Sequence, residues 1–151
     1  MVRLIGALML VLVLVTPIFG QQSLVGTYKL ISRVCELDGK QEQVMEHGYL
    51  VLTPTLAVFC FTTQNRKFGP SEADKAALFD TLVAWAGTYR IEENKLIIRV
   101  DTSWIEGWNG KDQIRSWELS GNRLMITAGP QPYGRDPSKT IIDRQIWEKI
   151  E

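Results

Sequence analysis

The segment Gln113–Thr127, QIRSWELSGNRLMIT, contains two runs of alternating character separated by Ser120-Gly121-Asn122. On extended backbone, successive side chains point to opposite faces. Gln113, Arg115, Trp117 and Leu119 therefore share one face, and Ile114, Ser116 and Glu118 share the other. The Ser-Gly-Asn break is a turn signal, so the segment reads as a β-hairpin. The face with Trp117 and Leu119 is the apolar one and is expected to point inward, carrying Gln113 and Arg115 with it. Similar runs lie on both sides. KLIIRVDTSW (Lys95–Trp104) precedes the hairpin, across the loop IEGWNGKD. TIIDRQIWEKI (Thr140–Ile150) follows, beyond the Pro/Gly-rich loop AGPQPYGRDPS. In the preceding strand Leu96, Ile98, Val100, Thr102 and Trp104 share a face.

Further upstream the pattern repeats. LVGTYKLISRVCE (Leu24–Glu36) is a strand ended by the Asp38-Gly39 turn pair, HGYLVLTPT is a second strand stopped at Pro54, and LAVFCFTT is a third. GPSEADKAALFDTLVAWAGTY then supplies a helix. Ser71 is its N-cap, with Asp74 three residues on; Leu78, Leu82 and Trp85 form its apolar stripe, and Gly87 ends it. GTYRIEEN resumes the strands. Eight short strands, mostly joined by turns, with one α-helix between strands 3 and 4, predict a mainly β chain. The expected form is an antiparallel meander closed as a barrel, which leaves no exposed edge.

The chain of 151 residues suits one domain, expected over residues 21–151. Residues 1–20, MVRLIGALMLVLVLVTPIFG, have the layout of a secretory signal peptide: Arg3, an apolar run from Leu4 to Val15, and small Gly20 before Gln21. That run is shorter than the roughly 20 residues needed to span a bilayer. The expected location is secreted or periplasmic, with no stable membrane insertion after cleavage. The 17 basic and 17 acidic residues balance, which offers nothing to draw the chain to nucleic acid. The single histidine, His47, and the lack of a CxxC or HExxH pattern argue against a side-chain metal site. No cofactor is implied. Cys35 and Cys60 would be permitted a disulfide outside the cell, or could be buried thiols.

Several stretches in order resemble a known family, the lipocalin-like domain of small bacterial and fungal proteins. LVGTYKLIS resembles its L-x-G-T-W-x-L opening, with Tyr28 in place of the usual Trp. GYLVLTP resembles its second strand, and LFDTLVAWAGTYRI its helix and following strand. WNGKDQIRSWELSGNRLMIT resembles its W-x-G-x-x-Q-x-R segment, and IWEKI its closing strand. The resemblance implies a calycin-type barrel. Family members often have histidines where this chain has Ile98 and Arg99, so histidine chemistry does not carry over.

A function follows as an expectation: a non-catalytic barrel that binds a small hydrophobic or amphipathic molecule, with room for about one ligand. The candidate ligand-binding residues are Arg115, Gln113, Trp104, Trp108, Trp117 and Tyr49. An inward arginine is costly without a partner. Arg115 could sit solvated at the rim with its stem on Trp108 or Trp117, pair with Asp143 if Trp147 faces in, or meet a ligand. If Ile142 and Ile146 face in instead, Arg144 becomes a second interior cation. An alternative is a barrel enzyme of the isomerase or cyclase kind, with Arg115, Tyr49 and His47 as actors. A third is an interaction domain with an exposed apolar patch and no cavity.

Overall fold

The computed structural model describes residues 23–133 and 136–151; the expected leader at 1–20 lies outside the described residues. The strands are β1 (Gly26–Leu37), β2 (Lys40–Val44), β3 (Glu46–Leu52), β4 (Leu56–Thr63), β5 (Leu82–Glu92), β6 (Lys95–Ser103), β7 (Asp112–Ser120), β8 (Arg123–Tyr133) and β9 (Asp136–Lys149). Each is antiparallel to its neighbours, and pairing of β1 with β9 closes the sheet into a barrel. β1 pairs with β3 through its first half, Gly26–Lys29, and with β2 through its second, Arg33–Leu37. β2 and β3 thus form one stave interrupted at Met45, and the barrel has the eight staves expected. No helix among the described residues is long and apolar enough to cross a membrane.

The helix α1 (Glu72–Asp80) lies between β4 and β5, not between the third and fourth strands in chain order. The shift in count arises because Lys40–Val44, next to a turn and polar in sequence, pairs with β1 as β2. Asp38 and Gly39 both adopt positive φ, which gives the two-residue turn that joins β1 to β2. Ser71 caps α1 as expected: its hydroxyl accepts from the Asp74 amide, and Asp74 accepts from the Ser71 amide.

The helix is shorter than its apolar stripe suggests. It stops at the Thr81 C-cap, and Leu82–Ala86 belong to β5. A period of two wins over the helical spacing because Val83, Trp85, Gly87, Tyr89 and Ile91 all turn inward along β5, and Trp85 stacks on Phe59 with ring centroids 4.3 Å apart. No residue of α1 is buried, so the expected inward stripe is not formed. Gly87 does not end a helix. It sits at a bulge where β5 and β6 approach so closely that a Cβ would strike the Arg99 carbonyl. That bulge also overturns one parity expectation: Thr102 faces out, although Leu96, Ile98 and Val100 face in. The Pro/Gly-rich stretch after Thr127 is mostly not loop; it extends the β8–β9 hairpin to Tyr133 and Asp136, with a register shift between Ala128 and Gln131.

One end of the barrel is packed solid. Tyr28, Leu50, Leu96, Ile98, Leu124 and Trp147 are fully buried there. Trp147 meets Phe59 and Phe61 edge-on at 6.1 Å. The Tyr28 hydroxyl donates to the Leu24 carbonyl, so the one polar atom this phenol brings inside is satisfied. Each such apolar side chain contributes about 1.5–3 kcal/mol through burial.

Candidate functional site

Inward side chains stack in rows across the barrel, and the rows change character along its axis. Leu119, Leu124, Trp147 and Leu30 align across β7, β8, β9 and β1. The next row is Trp117, Ile126, Gln145 and Arg33. The row beyond it has Ala128, Asp143 and Cys35, with Arg115 on the β7 side of Ala128. Apolar packing therefore gives way to polar groups, and there a cavity of about 690 Å³ begins. Its opposite wall is aromatic, made by Phe59, Phe61 and Trp85. Its solvent-facing end is formed by Lys40–Glu42 of β2, by Asp80 and Thr81 at the close of α1, and by Trp104, Ile105 and Trp108.

Arg33 reaches this wall through a β-bulge. β1 shifts register against β9 between Leu30 and Ser32, which leaves Ile31 unpaired and half exposed. The extra residue reverses the inward parity, so that Arg33, Cys35 and Leu37 face the cavity after Tyr28 and Leu30 have faced the core. Arg33 Nε and Nη2 donate to the two Asp143 oxygens, each at 3.0 Å, and Nη1 donates to both Glu46 oxygens at 2.8 Å. The guanidinium also lies 5.0 Å from the Phe61 ring centre. Burial alone would lower its pKa, but Asp143 and Glu46 outweigh that and hold it above the ordinary arginine range. Gln145 extends the network: its amide donates to Asp143 Oδ2 at 3.0 Å, and its carbonyl accepts from Trp147 Nε1 at 3.1 Å. The floor of the cavity is thus one continuous chain of hydrogen bonds from Trp147 to Glu46.

Arg115 stands apart from that chain. It is 6% exposed. Nη1 donates to the Ile114 carbonyl at 2.9 Å and Nη2 to Gln113 Oε1 at 3.2 Å. The guanidinium lies 5.5 Å from the Trp85 ring centre. Among the described residues no carboxylate comes within ion-pair distance of it. Burial, the largest influence, pushes its pKa down to about 10; Asp143 raises it and Arg33 lowers it. Of the openings considered for Arg115, the rim position and the Asp143 pair are both replaced. Trp147 does face in, but Asp143 is taken by Arg33. Arg144 faces out and pairs with Glu36 at 3.2 Å, with Ile142 and Ile146 on its side of β9.

The other candidate residues divide. Trp104 and Trp108 line the cavity and meet edge-on at 6.5 Å, and Phe79 of α1 meets Trp104 at 5.5 Å. Gln113 faces in but serves Arg115 as a hydrogen-bond acceptor rather than lining the cavity. Trp117 packs against the core. Tyr49 is on the outer wall, 51% exposed, because Leu50 and Leu52 take the inward parity of β3. His47 shares that outer side and meets the Thr62 hydroxyl at 3.2 Å. Two of the three actors in the isomerase reading are therefore remote from the cavity. The Tyr89 hydroxyl, on the inward side of β5, donates to the Thr53 carbonyl at 2.7 Å. Cys35 lines the cavity and Cys60 faces out from β4, and both are free thiols. The Cys35 pKa is pushed up to about 11, mainly by burial, so at neutral pH it is an uncharged part of the wall.

Sequence reasoning missed Arg33, Glu46 and Gln145. Arg33 has no alternating signal because the bulge inverts it. Gln145 could have been found, since it shares the Trp147 face of β9.

No curated protein and no solved structure matches the chain. The family model for the lipocalin-like domain matches residues 25–150, from the first barrel strand through the last. The chain belongs to the lipocalin-like domain family.

Proposed function

We propose that this protein is an exported binder that holds one small hydrophobic or amphipathic molecule inside its barrel. The observation that carries the reading is the cavity itself. At about 690 Å³ it lies between the staves of a lipocalin-like barrel, open at one end, and it sets an aromatic wall against a floor and mouth of polar and charged groups. Small-molecule sites fall at roughly 300–1,000 Å³. The packed end supports the same reading, because the fold had enough apolar residues to fill a core and leaves this end open. The export half rests on the signal-peptide layout of residues 1–20.

The test is a titration with N-phenylnaphthylamine, a neutral apolar dye, read by dye emission and by energy transfer from tryptophan. Saturable uptake of one dye per chain is expected, since Trp85, Trp104 and Trp108 all border the cavity. Absence of saturable uptake, with no small molecule carried by the purified protein in native mass spectra, would overturn binding. N-terminal sequencing of the protein made in an exporting host should begin near Gln21. A chain retained in the cytoplasm with its first residues intact would overturn export.

A further inference from the structure

We propose that the ligand is an amphipathic carboxylic acid whose carboxylate is received by Arg115 while its apolar body lies against Trp85, Trp104 and Trp108. This rests on the binding reading above and adds the chemical class. Among the described residues two arginines line the cavity, in unlike states. Arg33 has both edges of its guanidinium filled by Asp143 and Glu46, and the same bonds occupy those carboxylates. Nothing in that cluster is left to recognise a ligand. Among the described residues Arg115 has only neutral acceptors, the Ile114 carbonyl and the Gln113 amide. Its Nε and the second hydrogens of its two Nη atoms make no hydrogen bond among the described residues. Such a cation is the group most in need of an anion, and a guanidinium fork matches a carboxylate bidentately.

The surroundings leave space for that anion. Ala128 stands between Arg115 and Asp143 across β7, β8 and β9, and its small side chain leaves the gap between them open to the cavity. The orientation of Arg115 is already fixed. Trp85 lies under the guanidinium and is itself stacked on Phe59 with an interplanar angle of 3°. Trp108 closes on Trp85 edge-on at 6.0 Å, so an apolar chain leaving Arg115 runs directly onto aromatic faces. Asp143 raises the Arg115 pKa and Arg33 lowers it, but among the described residues no carboxylate of that cluster comes within ion-pair distance of Arg115, so its donors are left for a ligand.

The experiment displaces bound N-phenylnaphthylamine from the purified full-chain protein with dodecanoic acid, methyl dodecanoate and dodecylamine. These share a chain and differ at the head. The acid should displace dye at a concentration at least about ten-fold lower than the ester, as a charge-assisted hydrogen bond gained in a buried site would give, and the amine should be weakest. Arg115→Met should bring the acid to the level of the ester, each potency being read against the dye affinity measured on that same variant. Equal potency of acid and ester on the wild type would overturn this inference and leave the binding reading standing. Failure of the dye to bind, with no small molecule carried by the purified protein in native mass spectra, would overturn both. The acid-to-ester ratio on the wild type decides the matter even where Arg115→Met does not fold.

Discussion

Replacing Arg33 by Met should strand two carboxylates in the barrel wall. Asp143 and Glu46 have side chains only 12% and 6% exposed, and all four hydrogen bonds from Arg33 go to them. Removing one partner of a buried ion pair costs about 3–5 kcal/mol, because the other charge is left without compensation. For a domain of this size that lowers Tm by roughly 10–20 °C. The Arg33 pKa is held above its ordinary value, so its contribution is fully present below the unfolded pKa and does not fade across pH 5–9. The assay is urea unfolding at pH 8, followed by tryptophan emission. Adding Asp143→Asn and Glu46→Gln to the Arg33→Met chain should recover about half of the loss or more, since removing the whole set removes the unpaired charge. Arg33→Met within 1 kcal/mol of wild type at pH 8, or a triple variant less stable than the single one, would refute the account of the cluster as mutually compensating.

Three further outcomes are expected. Gly87→Ala should cost about 1–3 kcal/mol in the same urea assay, because the new methyl meets the Arg99 carbonyl at the β5–β6 bulge; an unchanged midpoint would show that the strands can part without cost. Tyr28 and Tyr89 have phenol pKa values raised above 10.0 by burial, so their contribution to stability should be constant below pH 10 and be lost above it, where the unfolded chain's phenols ionise and the native ones do not. Tyrosinate absorbance measured alongside unfolding should show these two phenols ionising only as the fold opens, and early titration of all four tyrosines would contradict it. With a thiol-reactive disulfide reagent at pH 8, Cys60 should react fast and Cys35 slowly, the latter being a part-buried thiol with its pKa pushed up to about 11. Cys60→Ser should remove the fast phase, and two equal fast thiols would place Cys35 wrongly.

The barrel was legible because its strands alternate and their turns carry Gly, Asn and Pro. Parity along β7 set Gln113, Arg115, Trp117 and Leu119 inward, and the register of β7 with β8 bears this out. Where sequence reasoning went astray, two periodicities overlapped. Leu78, Leu82 and Trp85 satisfy a helical spacing, but Val83, Trp85 and Gly87 satisfy a strand, and the Phe59–Trp85 stack favours the strand. Tyr49 was misjudged for a different reason. It was a candidate as a hydroxyl donor to a ligand, while Leu50 and Leu52 beside it take the inward parity of β3 and leave it on the outer wall. Arg115 was legible as an interior cation from its neighbours alone. That Asp143 would serve another arginine was not, since the competitor comes from β1.

That competitor shows what alternation cannot carry. Counting by twos from Tyr28 and Leu30 puts Ser32 and Val34 inside and Arg33 and Cys35 outside. The bulge at Ile31 adds one residue and reverses the assignment for the rest of β1. Similar irregularities occur at Ala86/Gly87 and at Ala128/Gln131, and both lie beside residues that line the cavity. Bulges bend a strand and increase its local twist, so a barrel whose strands are regular at one end and bulged at the other can be packed at the first and hollow at the second. In this chain the same irregularities that hollow the barrel also change which side chains line it. The bulge at Ile31 brings a charged residue inward, and the cluster it forms with Asp143 and Glu46 leaves Arg115 outside any ion pair among the described residues. The site is thus written less in any motif than in these one-residue slips, each invisible to composition and each settled only by the pairing of strands.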